Sequence, residues 1–338
     1  MPQLRRSRLT ETGFGRRRRG RGFSYTDPDG APVREEPTLT RIRELVIPPA
    51  WRDVWISPFG NDHIQVVGTD AAGRRQYLYH EAWRRQRDQA KHERVLELAR
   101  RLPAARETVL EHLSGRGLTR QRVLACAVRL LDLGFFRIGG EEYAEENGTY
   151  GLATLRREHV SVTRAGIEFD YDAKGSQHRV HAVVDTDVQV VVRALLARKD
   201  PGPELLAYWA DRSWHDVRSD DINRYLRDIA GEDVSAKDFR TWHATVLCVV
   251  ALSRAKAATT VSGRKRTVSA AVKEVAGCLG NTPSVCRKSY IDPRALDRYD
   301  DGDLARVTLQ APAELSLAQL AARPDVEEAV IDLLAPST

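Results

Sequence analysis

The period of the apolar residues changes three times along the chain, and this limits the fold more than any other feature. Between Thr38 and His80 the runs are short and strand-like: Asp53-Val54-Trp55-Ile56, Ile64-Gln65-Val66-Val67 and Gln76-Tyr77-Leu78-Tyr79. Pro58-Phe59-Gly60-Asn61 and Asp70-Ala71-Ala72-Gly73 separate them as turns, so a small antiparallel β domain is expected. From Glu81 the period becomes helical, with a charged stretch to Leu102, a second from Pro103 to Leu113, and a third from Thr119 to Phe136 that breaks at Gly139-Gly140. It returns to alternation at 159–163, 167–171 and 178–183, three strands of a meander with turns at Arg164-Ala165-Gly166 and Ala173-Lys174-Gly175-Ser176. Helical patterns then resume at 187–197, 203–209, 220–229, 238–252 and 268–279, with one or two weaker helices over 315–334. Strands and helices segregated in this way predict an α+β chain. Its expected parts are a tail over 1–36, an N-terminal β-rich domain over 37–90 and a mainly helical domain over 91–338.

The 338 residues suffice for two domains and a sizeable core. No run approaches the eighteen apolar residues of a membrane span, and the arginine-rich start lacks the apolar stretch of a signal peptide, so a cytoplasmic protein is expected. The four cysteines, Cys126, Cys248, Cys278 and Cys286, form no C-x-x-C pair and fall within helical patterns, which suits reduced thiols rather than disulfides or zinc. Net charge is +6, but residues 1 to 22 alone carry eight arginines against Glu11. That segment shows no apolar period and is expected to be disordered, holding an anion only loosely. Elsewhere the sign is uneven: ten lysines and arginines against two acids from Lys237 to Tyr290, then four against ten from Ile291 to Thr338. Such asymmetry points to a one-sided anionic partner such as nucleic acid.

The residues able to do chemistry are cations gathered around one tyrosine. Thr282-Pro283 reads as a helix start, a capping hydroxyl followed by proline at the first helical position, and Pro293 limits the helix to two or three turns. Tyr290 then falls near its end, with Cys286 and Arg287 on the same face, so a guanidinium is expected beside the phenol. Ser235-Ala236-Lys237-Asp238 has capping-box spacing, which puts Lys237 and Arg240 in the first turns of the next helix, where phosphate is attracted. Arg137 stands at a glycine-marked helix end, in Phe136-Arg137-Ile138-Gly139. Lys174 lies on a hairpin turn.

Each of these boxes recurs widely alone. Together and in this order, Arg137, Lys174, Lys237-Asp238-Phe239-Arg240 and Tyr290 nine residues after Asn281 resemble the catalytic set of type IB DNA topoisomerases, nearest to the compact poxvirus-like and bacterial branch. The resemblance runs from about Arg41 to about Pro293 and includes Ile47-Pro48-Pro49-Ala50-Trp51 and Gln76-Tyr77-Leu78-Tyr79. One departure is Asn281, where many relatives carry histidine; asparagine donates a hydrogen bond but cannot hold a proton.

The resemblance implies relaxation of supercoiled DNA through a transient 3′-phosphotyrosine, without ATP, metal or other cofactor, by a monomer clamping duplex DNA. Catalysis would rest on Tyr290 as nucleophile, Arg137, Arg240 and Asn281 on the phosphoryl oxygens, and Lys174 as general acid. DNA contacts are expected from Gln76, Tyr77, Tyr79, Arg84, Arg85, Tyr143, Lys237 and the polar loop carrying Arg264, Lys265 and Arg266, which is expected to be mobile until DNA binds. A tyrosine recombinase shares this set, but usually presents histidine where this chain has Lys237 and lacks the N-terminal β domain. A non-catalytic DNA clamp is the alternative of another class, and under it Tyr290→Phe changes nothing.

Overall fold

The computed structural model describes residues 3–175, 177–256, 258–306 and 315–335; the side chains of Tyr143, Ala305 and Arg306 are outside the described set. The architecture is α+β, in two units, Met1–Lys91 and His92–Thr338.

The first unit is a five-stranded antiparallel sheet in the order β2-β1-β3-β4-β5, formed by β1 (Phe14–Arg19), β2 (Gly22–Thr26), β3 (Arg52–Ile56), β4 (Ile64–Thr69) and β5 (Arg75–Tyr79), with α1 (Glu36–Glu44) between β2 and β3. Its core is Ile42, Val54, Ile56 and Val66. The presence of β1 and β2 corrects the expectation of a disordered tail. Gly20, at φ 56°, turns the chain, and the register runs from Gly15↔Thr26 to Arg19↔Gly22. β1 is also joined to β3 through Phe14↔Ile56. The alternation was hidden because an arginine occupies one of the half-buried positions. Arg16 donates to the carbonyls of Ile47, Pro48 and Trp51 at 2.7–3.3 Å, and its guanidinium lies 4.2 Å from the Phe23 ring. A guanidinium with its donors satisfied this way can stand where an apolar residue would be expected.

The division between the units falls within α2 (Glu81–Leu113), which runs through Pro103 without the expected break. Leu98, Ala99, Leu102, Ala105, Val109 and Leu113 are buried on both sides of that proline. A continuous apolar stripe can outweigh one lost backbone bond. There follow α3 (Arg120–Gly134), α4 (Glu141–Asn147) and a three-stranded antiparallel meander, β6 (Val160–Val162), β7 (Ile167–Ala173) and β8 (Gln177–Val183). After α5 (Thr186–Ala197) comes a second correction. The helix expected over 203–209 is instead a hairpin of β9 (Ala207–Ala210) and β10 (Ser213–Asp216). Its two turn residues, Asp211 and Arg212, both have positive φ, 49° and 60°. That is the primed-turn geometry usually signalled by Asn-Gly, and the signal is absent here.

The remaining helices are α6 (Ser219–Ala230), α7 (Ala236–Arg254), α8 (Val261–Leu279), α9 (Pro283–Ser289), α10 (Pro293–Asp300), α11 (Leu317–Ala321) and α12 (Pro324–Leu334). α7 is buried on almost every face, so it is the axis around which this unit packs. Asp238 closes the anticipated capping box, accepting from the Ser235 backbone nitrogen at 3.0 Å and its hydroxyl at 2.8 Å. α8 begins seven residues before the expected Val268, because Thr260 caps it by accepting from Gly263 nitrogen at 3.0 Å. Arg264, Lys265 and Arg266 are therefore helical, not part of a loop.

Candidate active site

The site is built on the C-terminal end of α8. A helix end leaves its last carbonyls without intrahelical partners and carries partial negative charge. Gly280, in the left-handed region at φ 59°, closes the helix, and Asn281 nitrogen returns to the Ala276 carbonyl at 2.9 Å. The carbonyls of Cys278, Leu279 and Gly280 are each taken by a different guanidinium. Arg179 donates to Cys278 at 2.9 Å, Arg240 to Leu279 at 2.7 Å and Arg137 to Gly280 at 2.7 Å. Like charges that would otherwise repel are thus gathered by one helix terminus, each through a charge-assisted hydrogen bond.

Arg240 comes from the second turn of α7 and is 4% exposed. Its other terminal nitrogen donates to the Phe135 carbonyl. Phe135 caps α3 in the left-handed region at φ 53°, an unfavourable place for a bulky residue, and packs edge-on against His243 at 5.1 Å. Burial pushes the guanidinium pKa down to about 10; Tyr290 opposes the fall, while Arg137 and Arg179 add to it. Arg240 remains charged at neutral pH.

Arg137 follows the Phe135 turn. Its own carbonyl accepts from Leu152 nitrogen at 2.8 Å, and that of Ile138 from Ala153 nitrogen at 2.7 Å. Gly139, at φ 84°, meets Gly151 there so closely that a Cβ on Gly139 would lie 3.0 Å from Gly151 Cα and one on Gly151 2.5 Å from Gly139 backbone, which explains the glycine after Arg137-Ile138. A second bond from Arg137 ends on Asn281 Oδ1. That bond orients the amide, leaving Asn281 Nδ2 buried with no hydrogen-bond partner. Arg240 Nε is in the same condition.

Tyr290 is the residue that ends α9. Thr282 caps this helix, accepting from Val285 nitrogen at 3.3 Å, with Pro283 at its first position as expected. The Tyr290 ring centroid lies 5.5 Å from the Arg240 guanidinium carbon. The guanidinium beside the phenol is therefore that of Arg240. Arg287, the residue expected there, is exposed, and Cys286 is fully buried, its thiol pushed up to about 11 by burial. Lys174 stands exposed in the turn joining β7 and β8, and Ser176 in that turn lies outside the described residues.

Arg137, Arg240, Asn281 and Tyr290 thus converge from four separate stretches of chain. Arg179 had no signal in the sequence.

The residues expected to contact DNA are spread over both units. Tyr77 and Tyr79 share one face of β5, both partly exposed, with rings stacked at 6.1 Å. Gln76 is on the other face, donating to Asp70 at 2.9 Å, so the three do not form one surface. Arg84 and Arg85 are exposed on α2, Lys237 on the first turn of α7, and Lys265 and Arg266 on the first turns of α8; Arg264 is half-buried, 3.9 Å from Asp300. The Tyr143 side chain lies outside the described residues. A surface the sequence did not suggest is the β1–β2 hairpin. Arg17, Arg18, Arg19 and Arg21 are all exposed on it, and none has an ion-pair partner among the described residues.

Residues 80–308 match the family model described as eukaryotic DNA topoisomerase I, catalytic core, and residues 22–70 that described as bacterial DNA topoisomerase IB, N-terminal domain. DNA topoisomerase 1B of Acanthamoeba polyphaga mimivirus is 28% identical over 297 residues, 86% of this chain and 88% of the viral protein. That of vaccinia virus (strain Copenhagen) is 22% identical over 237 residues, 70% and 72% of the two chains. DNA topoisomerase 1 of Schizosaccharomyces pombe is 30% identical over 129 residues, 38% of this chain and 15% of the yeast protein. The mimivirus and vaccinia proteins, matched over most of their length, are viral, whereas the N-terminal family model is bacterial. With its catalytic-core match spanning about two-thirds of its length, this chain belongs to the type IB DNA topoisomerases and is an enzyme acting on duplex DNA.

Proposed function

We propose that the chain relaxes supercoiled DNA as a monomer, by transient cleavage of one strand at Tyr290, with no requirement for ATP or a metal ion. The Tyr290 oxygen forms a bond to a backbone phosphorus, the bond from phosphorus to the 5′ oxygen breaks, and the phenolic proton is lost to water. Cleavage leaves a 3′-phosphotyrosine and a 5′-hydroxyl. One phosphodiester is exchanged for another, so torsional strain alone drives rotation and the reverse attack reseals the strand.

The observation that carries this reading is the pair of buried donors without partners, Asn281 Nδ2 and Arg240 Nε, in the same cluster as the Tyr290 ring. Leaving a buried donor unpaired costs ~1–3 kcal/mol, a cost that an incoming phosphoryl group would remove. Negative charge gathers on the non-bridging oxygens in the transition state, and Arg137, Arg240 and Asn281 would meet it with donors fixed in advance. The carbonyls of α8 supply that fixation, so little reorganisation is needed at the moment of reaction. Lys174 would protonate the departing 5′ oxygen, a role worth roughly 10²–10⁴ in rate for a general acid.

The test is relaxation of negatively and positively supercoiled plasmid with EDTA present and ATP absent. Wild type relaxes both signs, and Tyr290→Phe relaxes neither while still binding. Activity confined to pairs of defined sites would indicate recombination, and an unchanged Tyr290→Phe protein would leave only a clamp.

A further inference from the structure

We propose that Arg179, on β8, is a positioning residue for the leaving-group half of the reaction, tying the hairpin that carries Lys174 to the carbonyl end of α8. The inference rests on the tyrosine-cleavage reading above and adds a residue to it.

Three observations support it. Arg179 Nη2 donates to Cys278 at 2.9 Å, the first of the three consecutive carbonyls whose other two hold Arg240 and Arg137. A single helix end therefore sets Arg179 in register with the residues that face the phosphoryl group. Second, a Cβ on Gly280 would overlap the Arg179 guanidinium. The glycine that closes α8 is needed for its left-handed φ and for the passage of this side chain. Third, Arg179 belongs to the same hairpin as Lys174. Tyr171↔Arg179 and Ala173↔Gln177 are successive same-face rungs of the β7–β8 ladder, and Lys174 stands in the turn beyond. β8 is an edge strand of its sheet, with β7 on one side only.

A two-stranded tip is soft unless something outside the ladder holds it. On the β7 side, Tyr150 nitrogen donates to the Asp172 carbonyl at 2.7 Å. On the β8 side, Arg179 makes the link to α8. A proton donor misplaced by about 1 Å can lose on the order of 10²-fold in rate, so the anchor should be read out in protonation of the leaving oxygen. It should not be read out in phosphate binding.

Single-turnover cleavage of two matched DNA substrates separates these roles. One carries the natural 5′ oxygen at the scissile bond and the other a bridging sulfur. A thiol, with pKa ~8.5, departs as thiolate and needs no proton, whereas an alkoxide does. Arg179→Ala should cleave the oxygen substrate on the order of 10²-fold slower, and Lys174→Ala roughly 10²–10⁴-fold slower. Both should run near the wild-type rate on sulfur. The double variant should be no slower than Lys174→Ala on oxygen, because the two act as one unit.

Arg179→Lys, which keeps a donor for Cys278, should recover part of the loss, and it replaces the alanine variant if that fails to fold. Equal slowing on both substrates would overturn the proposal, as would full speed on oxygen. Failure of the parent reading looks different: wild type would cleave neither substrate, or Tyr290→Phe would cleave both.

Discussion

Two groups of arginines in this molecule differ in how the chain presents them. Arg17, Arg18, Arg19 and Arg21 crowd one β hairpin, exposed and without ion-pair partners among the described residues. Arg137, Arg179 and Arg240 are far apart in sequence, half or fully buried, and each is held by a carbonyl at the end of α8. The first group has density without fixed direction, which suits attraction to a phosphate backbone of any sequence. The second has direction without density, which suits recognition of charge at one point in space. Local charge count therefore marks where a polyanion can be held, and the carbonyl anchors mark where chemistry is possible.

Substitutions in the two groups should consequently fail in different ways. The largest effect is expected within the buried group. Arg240→Ala should lower the cleavage rate at saturating DNA by at least 10²–10³-fold, the order found for removal of one preorganised donor. Arg240→Lys should not restore it, since a single ammonium cannot reach both the Leu279 and Phe135 carbonyls while facing substrate. Rapid-quench cleavage at several protein concentrations measures this, and recovery at high concentration would place Arg240 with the hairpin arginines instead.

Asn281→Ala should cost less than Arg240→Ala, roughly 10²–10³-fold, the order for removal of one neutral amide donor, because no charge is lost with it. Asn281→His should retain most of the rate, because it again presents a nitrogen donor. If the alanine variant cleaves at the wild-type rate, the unpaired amide has no role in the reaction.

Replacing Arg17, Arg18, Arg19 and Arg21 together by glutamine should act on affinity. The dependence of log K on log salt should become shallower by ~0.9 for each phosphate that the variant no longer neutralises, and cleavage at saturation should change far less than binding. A filter-binding titration across salt concentrations decides this. An unaltered slope would mean that the hairpin does not touch DNA.

The smallest effect concerns pH. His181 is packed against Phe136 and Phe169, and burial, with Arg179 adding, pushes its pKa down to about 4 from the usual 6.5. The folded value lies below the unfolded one, so protonation favours the unfolded chain. Stability is therefore full above 6.5 and declines as pH falls towards 4, by at most ~1.4 kcal/mol per unit. Urea midpoints at pH 7 and pH 5 should differ less in His181→Leu than in wild type.

Much of the fold was legible because its signals are local. The capping box at Ser235 and Asp238, the Thr282-Pro283 helix start and the alternation of the meander each depend on residues within a few positions of one another. The misses have physical causes of the same scale. Asp211 and Arg212 turn a hairpin without glycine, an aliphatic stripe carries α2 past Pro103, and Arg16 sits with its donors satisfied where an apolar residue was expected. The convergence of Arg137, Arg240, Asn281 and Tyr290 followed from resemblance rather than from pattern. The means of holding the arginines, the Leu279 and Gly280 carbonyls for Arg240 and Arg137 and the Cys278 carbonyl for Arg179, was not legible, because backbone acceptors leave no residue type to read.

The most direct measurement is covalent capture on a nicked or short duplex from which the downstream fragment, with its free 5′-hydroxyl, dissociates. End-labelling each side of the break reports which strand end is joined to protein, and peptide mapping reports the attached residue. The account predicts that wild type retains the label upstream of the break, on the 3′-phosphate side, through Tyr290. Tyr290→Phe should bind the same duplex and retain nothing. Attachment to the 5′ end, attachment at another residue, or an undiminished adduct in Tyr290→Phe would contradict it.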